Sequence, residues 1–164
     1  MRVNLIIVMT KSEEFEKLTK RISKEICKIA SNLHAGNIAQ GSTNKIEGKS
    51  GYKHQIDVSI KTNNQIILIE CKKYKNKVGL SDMLILIARV DDIRRKYPDF
   101  KVTGVFFTTE GYTKNALTLA RAYKIEWNKA KTIKNFAIHI AGNVLIRPKA
   151  LNLQLQIKEP VITT

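Results

Sequence analysis

Asp57, Glu70 and Lys72 are the residues of this chain whose types and spacing point most directly to chemistry. His54 to Lys61 alternates, with Ile56, Val58 and Ile60 on one face and Gln55, Asp57 and Ser59 on the other. Ile66 to Lys72 alternates too, setting Ile67, Ile69 and Cys71 against Leu68, Glu70 and Lys72. Between them, Thr62-Asn63-Asn64-Gln65 supplies two asparagines, which tolerate positive φ and suit a two-residue hairpin turn. Pairing Thr62 with Gln65 then puts Val58 opposite Ile69, Ile60 opposite Ile67 and Asp57 opposite Glu70. Carboxylates directly opposite have Cβ atoms about 4.5–5.5 Å apart and repel each other. A divalent cation offsets that repulsion, and Mg²⁺, with Mn²⁺ as substitute, is held by one or two carboxylates plus water and phosphate oxygens. Lys72 lies two residues past Glu70 and shares its face, where it suits orienting water or neutralising charge at a scissile phosphate. The trio predicts metal-assisted hydrolysis of a phosphodiester. The same residue types also occur on solvated strand faces, where Lys–Glu pairs are ordinary. The following basic run, Lys72-Lys73-Tyr74-Lys75-Asn76-Lys77, favours the catalytic reading because it would draw in a phosphate backbone. Lys53, Lys73, Lys75 and Lys77 are candidate DNA contacts, joined by Tyr74, which suits either stacking on a base or packing.

Several elements must position this hairpin. Phe15, Leu18, Ile22, Ile26 and Ile29 recur at helical spacing, and Thr10 with Glu13 has the spacing of a capping box, predicting a helix over 10–30. Residues 31–53, rich in Gly, Ser, Asn and Lys, read as loop with one short strand. Ser81 is the expected cap of a second helix, with Leu80, Met83, Leu84, Ile87 and Val90 inward and Arg89, Arg94, Arg95 and Lys96 outside, closed by Pro98. Lys101 to Thr108 reads as a strand covered on both faces, and Thr113 to Tyr123 as a short helix whose Ala116 and Ala120 let it lie close to the sheet. Residues 136–140 and 151–157 alternate as strands, and the second must hide its leucines against this fold or a second copy.

The 164 residues fit one domain, and 43 % hydrophobic with 26 % charged residues is ordinary for a globular chain. The balance of 29 Lys+Arg against 14 Asp+Glu, net +15, is not ordinary and points to a polyanion, nucleic acid before membrane. No stretch approaches the roughly 20 apolar residues of a spanning helix, so no membrane partner is expected. Cys27 and Cys71 lack metal-ligand spacing and suit a reduced, cytoplasmic protein. Cys71, on the apolar face, reads as core and not as nucleophile.

The stretch Gly51-Tyr-Lys-His-Gln-Ile-Asp57-Val, then Ile-Leu-Ile-Glu70-Cys-Lys72-Lys-Tyr and Val78-Gly-Leu-Ser-Asp82, resembles the PD-(D/E)xK nuclease superfamily, and within it the Mrr-type restriction endonucleases. Val105-Phe-Phe-Thr-Thr109 with Gly111-Tyr-Thr-Lys-Asn-Ala116 is similar to that family's strand, Gly-aromatic turn and Ala-rich helix. Ile56 stands where the superfamily name has Pro. The resemblance implies a metal shell of Asp57, Glu70, the Cys71 backbone carbonyl and Glu16, from the Phe15-Glu16 pair of the first helix, although Glu25 lies nearer that helix's apolar stripe. It also implies an α/β restriction-endonuclease-like core, a central mixed sheet of about five strands flanked by helices. That core is expected over residues 1–126, with a β-rich C-terminal extension over 127–164. The function expected is Mg²⁺-dependent DNA endonuclease activity leaving 5′-phosphate and 3′-hydroxyl ends. The alternatives are a Holliday-junction-type, structure-selective nuclease and a DNA-binding module without turnover, against which the intact trio argues. From Trp127 to Lys158 there is no acidic residue, and Leu151, Leu153, Leu155 and Ile157 share one face, so the extension is expected to make a homodimer or to join the edge of its own sheet.

Overall fold

The computed structural model describes residues 37–72 and 76–129, together with Arg21 in a helical position. The expected first helix with Glu16 and Glu25, the run Lys73-Tyr74-Lys75, and the extension beyond Lys129 lie outside the described residues. Seven strands are described: β1 (Asn37–Gln40), β2 (Lys45–Glu47), β3 (Lys53–Gln55), β4 (Val58–Lys61), β5 (Gln65–Lys72), β6 (Lys101–Thr108) and β7 (Glu126–Lys129). Two described helices, α1 (Leu80–Lys96) and α2 (Lys114–Ala122), connect β5 to β6 and β6 to β7. Five strands form one mixed sheet in the order β1-β4-β5-β6-β7, while β2 and β3 pair separately. The architecture is the expected restriction-endonuclease-like α/β sheet. β7 joins the sheet across the boundary expected at residues 126 and 127.

The β4–β5 hairpin has the predicted register: Val58 pairs with Ile69, Ser59 with Leu68 and Ile60 with Ile67. Its turn is closed by Thr62, whose amide donates to the Gln65 carbonyl at 2.9 Å and whose hydroxyl accepts from the Gln65 amide at 3.0 Å. The next strands run parallel, β5 with β6 and β6 with β7, so each needs a crossover, which the helices supply. Ile66 and Leu68 of β5 pack with Val102 and Phe106 of β6 beneath Met83, Leu86, Val90 and Ile93 of α1 and Ala116 and Ala120 of α2. Ile67, Ile69, Val105 and Phe107, on the other face, are also buried, as a strand covered on both sides requires. Gly104 permits the close approach of helix and sheet, since a Cβ there would sit 2.6 Å from Val90 Cγ2 and 2.9 Å from Ile125 Cδ1. We expect Gly104→Val to cost about 1–3 kcal/mol by overpacking. The urea midpoint should fall with its slope unchanged; an unaltered midpoint would show that this contact yields.

Three expectations are corrected. Residues 31–53 hold not one short strand but β1, β2 and the start of β3, because turns at Gly41 (φ 83°) and Gly51 (φ 82°) divide the segment into pieces too short to show alternation. α1 begins at Leu80 with Gly79 as its cap, not Ser81; glycine has no side chain to accept a first-turn amide, and the Asp82 carboxylate three residues on accepts from the Gly79 amide at 3.5 Å. Its buried stripe is Met83, Leu86, Ile87, Val90 and Ile93, while Leu80 and Leu84 are exposed, since the first two turns are apolar almost all round.

Candidate active site

β4 and β5 alternate as expected, but the alternation breaks at Asp57. Ile56 packs in the helix-side core with Leu68, whereas Val58, paired with Ile69, faces the opposite side. The chain changes sheets here: the Ile56 amide donates to the Asn44 carbonyl at 3.0 Å, and the Asp57 carbonyl accepts from the Gly41 amide at 3.1 Å. Asp57 is therefore not a regular cross-strand partner of Glu70. It precedes β4, and its Oδ2 accepts the Cys71 amide at 2.8 Å, pinning the first acid to the strand that carries the second. Asn44 fixes the junction from below, donating through Nδ2 to the Ile56 carbonyl at 2.8 Å and accepting from the Ser59 hydroxyl at 3.0 Å.

Glu70 and Lys72 leave β5 on the α1 side and meet two residues of that helix. Arg89 Nη1 donates to Glu70 Oε2 at 2.9 Å, and Lys72 Nζ donates to Asp82 Oδ1 at 2.7 Å. Glu70 is mostly buried, its side chain 14 % exposed. Burial raises Asp57 above its ordinary value, against the Cys71 amide and the charges of Arg89 and Lys72. Burial first, and the Asp57 charge second, push Glu70 from 4.5 up to about 7. The folded protein thus holds this proton more tightly than the unfolded chain. Its contribution favours the fold below about pH 4.5 and is lost as pH rises through about 7. With a chelator present, the melting temperature of the wild type should fall more steeply over that window than that of Glu70→Gln; parallel curves would refute the shift.

Each acid has one oxygen engaged by the protein, Asp57 Oδ2 by Cys71 and Glu70 Oε2 by Arg89. Among the described residues, Asp57 Oδ1 and Glu70 Oε1 carry no hydrogen bond. Two such carboxylate oxygens, with Asp57 held to the strand of Glu70 through the Cys71 amide, fit a cation that takes one or two carboxylates and completes its shell with water and phosphate. They do not fit a metal needing a dense protein cage, and among the described residues no group of three or more His, Cys, Asp or Glu could hold one.

The Mrr_cat family of restriction endonucleases matches residues 31–136. The chain belongs to the Mrr-type restriction endonuclease family. No curated protein matches it in sequence. Among solved structures, a protein of unknown function, AF1548, is similar at TM-score 0.52 and 18 % identity over 67 % of this chain and 56 % of its own. VC1899 from Vibrio cholerae is similar at TM-score 0.59 and 14 % identity over 82 % of this chain and 36 % of its own. A repair endonuclease from Pyrococcus abyssi is similar at TM-score 0.47 and 18 % identity over 75 % of this chain and 49 % of its own. This Mrr-type chain thus spans about half the length of the first of these and about a third of the second.

The family's Gly-Tyr-Thr turn has a structural role in this Mrr-type fold. Gly111, at φ 97°, accepts the Val78 amide at 2.9 Å, and Val78 in turn accepts the Thr113 amide at 3.0 Å, tying the segment after Lys72 to the start of α2. The Tyr112 hydroxyl is shared between the carbonyls of Phe106 at 2.7 Å and Asn128 at 2.8 Å. Cys71 is buried, its thiol pushed well up by burial, so it is core as expected. Lys53 and Lys77 are exposed, Lys53 on the β2–β3 hairpin and Lys77 beside Val78.

Sequence reasoning missed three residues. Arg89, expected to face solvent, caps Glu70, and Asp82 holds Lys72. Their seven-residue spacing, two helical turns, was the available signal. The third, Asp92, clamps the β2–β3 turn: its carboxylate accepts from the Ser50 amide at 2.9 Å and hydroxyl at 2.6 Å, and lies 2.7 Å from His54 Nε2. These bonds, Ser50's first, hold Asp92 down at about 2. Because β3 runs into Asp57, the clamp positions the first acid indirectly. Asp92→Ala should speed amide exchange at Ser50 and across β2–β3 by about tenfold or more while the β5–β6 amides stay protected. Unchanged exchange would show that the clamp is dispensable.

Proposed function

We propose that this chain is an endonuclease that hydrolyses DNA phosphodiesters with Mg²⁺, or Mn²⁺ in its place. The observation that carries the reading is the pair of half-buried acids, each with one oxygen pinned by the protein, beside Lys72 in a chain of a restriction endonuclease family. Asp57, Glu70 and the Cys71 carbonyl are the groups that would hold the cation, which supplies Lewis-acidic positive charge beside the scissile phosphate. Lys72, held by Asp82 at 2.7 Å, is the cation that would orient the attacking water. Arg89 offsets part of the repulsion that the Asp57 charge exerts on Glu70, and the cation would offset the rest. Exposed Lys53 and Lys77 would meet the DNA backbone.

The test is incubation of pure protein with Mg²⁺ or Mn²⁺ and a panel of linear, supercoiled, methylated, single-stranded and four-way-junction DNA. Cleavage dependent on the cation and abolished by a chelator is expected. Tight binding to every substrate with no cleavage would leave a DNA-binding module and overturn the nuclease reading.

A further inference from the structure

A cleft of about 830 Å³ lies between the C-terminal ends of α1 and α2, where β6 and β7 begin. The strand register sets Gln65 beside Lys101 and Glu70 beside Phe106, so the Lys101 end of the cleft lies about 16 Å along the strands from Glu70, at roughly 3.3 Å per residue, while Trp127, paired with Phe106, lies two strands across from it. Its volume falls within the roughly 300–1,000 Å³ of small-molecule sites. Its floor is apolar, with Val102, Ala120 and Ile125 almost fully buried. Its rim is cationic: Arg94, Lys101, Arg121 and Lys124 are all exposed, and Glu126 is the one acid in the lining. Among the described residues none of these four cations makes an ion pair. Arg94 and Arg121 sit in the last turns of their helices, where cations favour the helix dipole. Lys101 and Lys124 lie outside both helices, so the dipole does not account for them. Trp127, half-buried in the same lining, has the Arg121 guanidinium 5.5 Å from its ring centroid.

A cationic rim over an apolar floor with an indole in the wall matches one ligand chemistry, an anion attached to a flat apolar ring. Inorganic phosphate or sulfate would leave the floor and most of the volume unfilled. We propose that this cleft is a second site, binding a nucleoside phosphate unit with its base against Trp127 and the apolar floor and its phosphate among the rim cations. It involves none of the candidate catalytic residues and does not depend on the nuclease reading. That unit is either a free nucleotide or one nucleotide of a strand.

Trp127 is the only tryptophan of the chain, so its emission reports on this cleft alone. Full-length protein is titrated with AMP, with inorganic phosphate and with a short single-stranded oligonucleotide, and heats of binding are measured in parallel. AMP should change the emission saturably, with phosphate about tenfold weaker or worse and the double variant Lys101→Gln/Lys124→Gln about tenfold weaker for AMP. Glu70→Gln should bind AMP as the wild type does, which separates this site from the acids. An oligonucleotide that binds more tightly than AMP and is weakened by the same double variant assigns the unit to a strand, and equal affinities assign it to a free nucleotide. No saturable response and no heat with AMP, equal affinity for phosphate and AMP, or wild-type affinity in the double variant would overturn the proposal.

Discussion

Asp57→Asn, Glu70→Gln and Lys72→Met are each expected to lower the rate of DNA cleavage by about 10³-fold or more while leaving the fold intact. The conservative replacements matter. Asp57→Ala would strand the Cys71 amide in a half-buried position, a cost of about 1–3 kcal/mol that would confuse folding with chemistry. Asparagine keeps an acceptor for that amide and removes only the charge. Glutamine likewise leaves Arg89 an amide oxygen in place of Glu70 Oε2. DNA affinity should separate the roles further. Asp57→Asn and Glu70→Gln each delete a negative charge from a surface meant to face phosphates, so both variants should bind DNA as tightly as wild type or slightly more tightly. Residues acting as one unit are non-additive, so the double variant Asp57→Asn/Glu70→Gln should be no slower than either single one. Turnover near the wild-type level in any of the three single variants would remove that residue from the assignment. Arg89→Met gives a graded comparison: it leaves both acids in place, so it should slow cleavage less than any of the three and weaken the fold most where Glu70 is ionised.

The parts of this fold that were legible in the sequence were those where a local signal had no competitor. The Asn63-Asn64 turn and the alternation on either side of it admit one register, and a one-residue slip would have turned Ile67 and Ile69 to the other face, so the pairing of Val58 with Ile69 followed from the residues. That Glu70 and Lys72 share one face of β5 was legible for the same reason. The break at Asp57 was not legible, because Ile56, Val58 and Ile60 alternate identically whether or not the chain changes sheets between the first and second of them. Only the long-range bonds to Gly41 and Asn44 impose the turn. α1 misled in a different way. Leu80, Met83, Leu84, Ile85, Leu86 and Ile87 are apolar nearly all round, and where no polar face competes, the buried stripe is chosen by what the helix packs on. Leu86 and Ile93 won because they lie over β5 and β6, and Leu80 and Leu84 were left exposed. That rotation carried Arg89 onto Glu70 and Asp82 onto Lys72. A helix wheel drawn from the sequence alone places Arg89 outside.

DNA affinity should fall by about 10³–10⁵ between 50 and 200 mM salt, with little dependence on sequence, if about six to ten phosphates are neutralised. The motivation is the net charge of +15, spread along the chain and not gathered into one run. Lysines and arginines that meet a backbone release condensed counterions, and the logarithm of affinity then declines linearly with the logarithm of salt, at about −0.9 per phosphate contact. This slope can be assigned residue by residue. Lys53→Gln, on the clamped hairpin that leads into Asp57, and Lys77→Gln, beside Val78, should each make the slope shallower by about one and weaken binding uniformly across sequences. Asp57→Asn and Glu70→Gln should leave the slope within a unit of the wild type, since a carboxylate neutralises no phosphate and releases none of the DNA's counterions. A nearly flat salt response would point to a small, uncharged or deeply enclosed ligand and would contradict a DNA substrate. A steep slope that survives loss of both lysines would place the DNA on another basic face of the molecule. The salt series read on the paired variants therefore locates the duplex relative to the two acids without requiring that cleavage be observed.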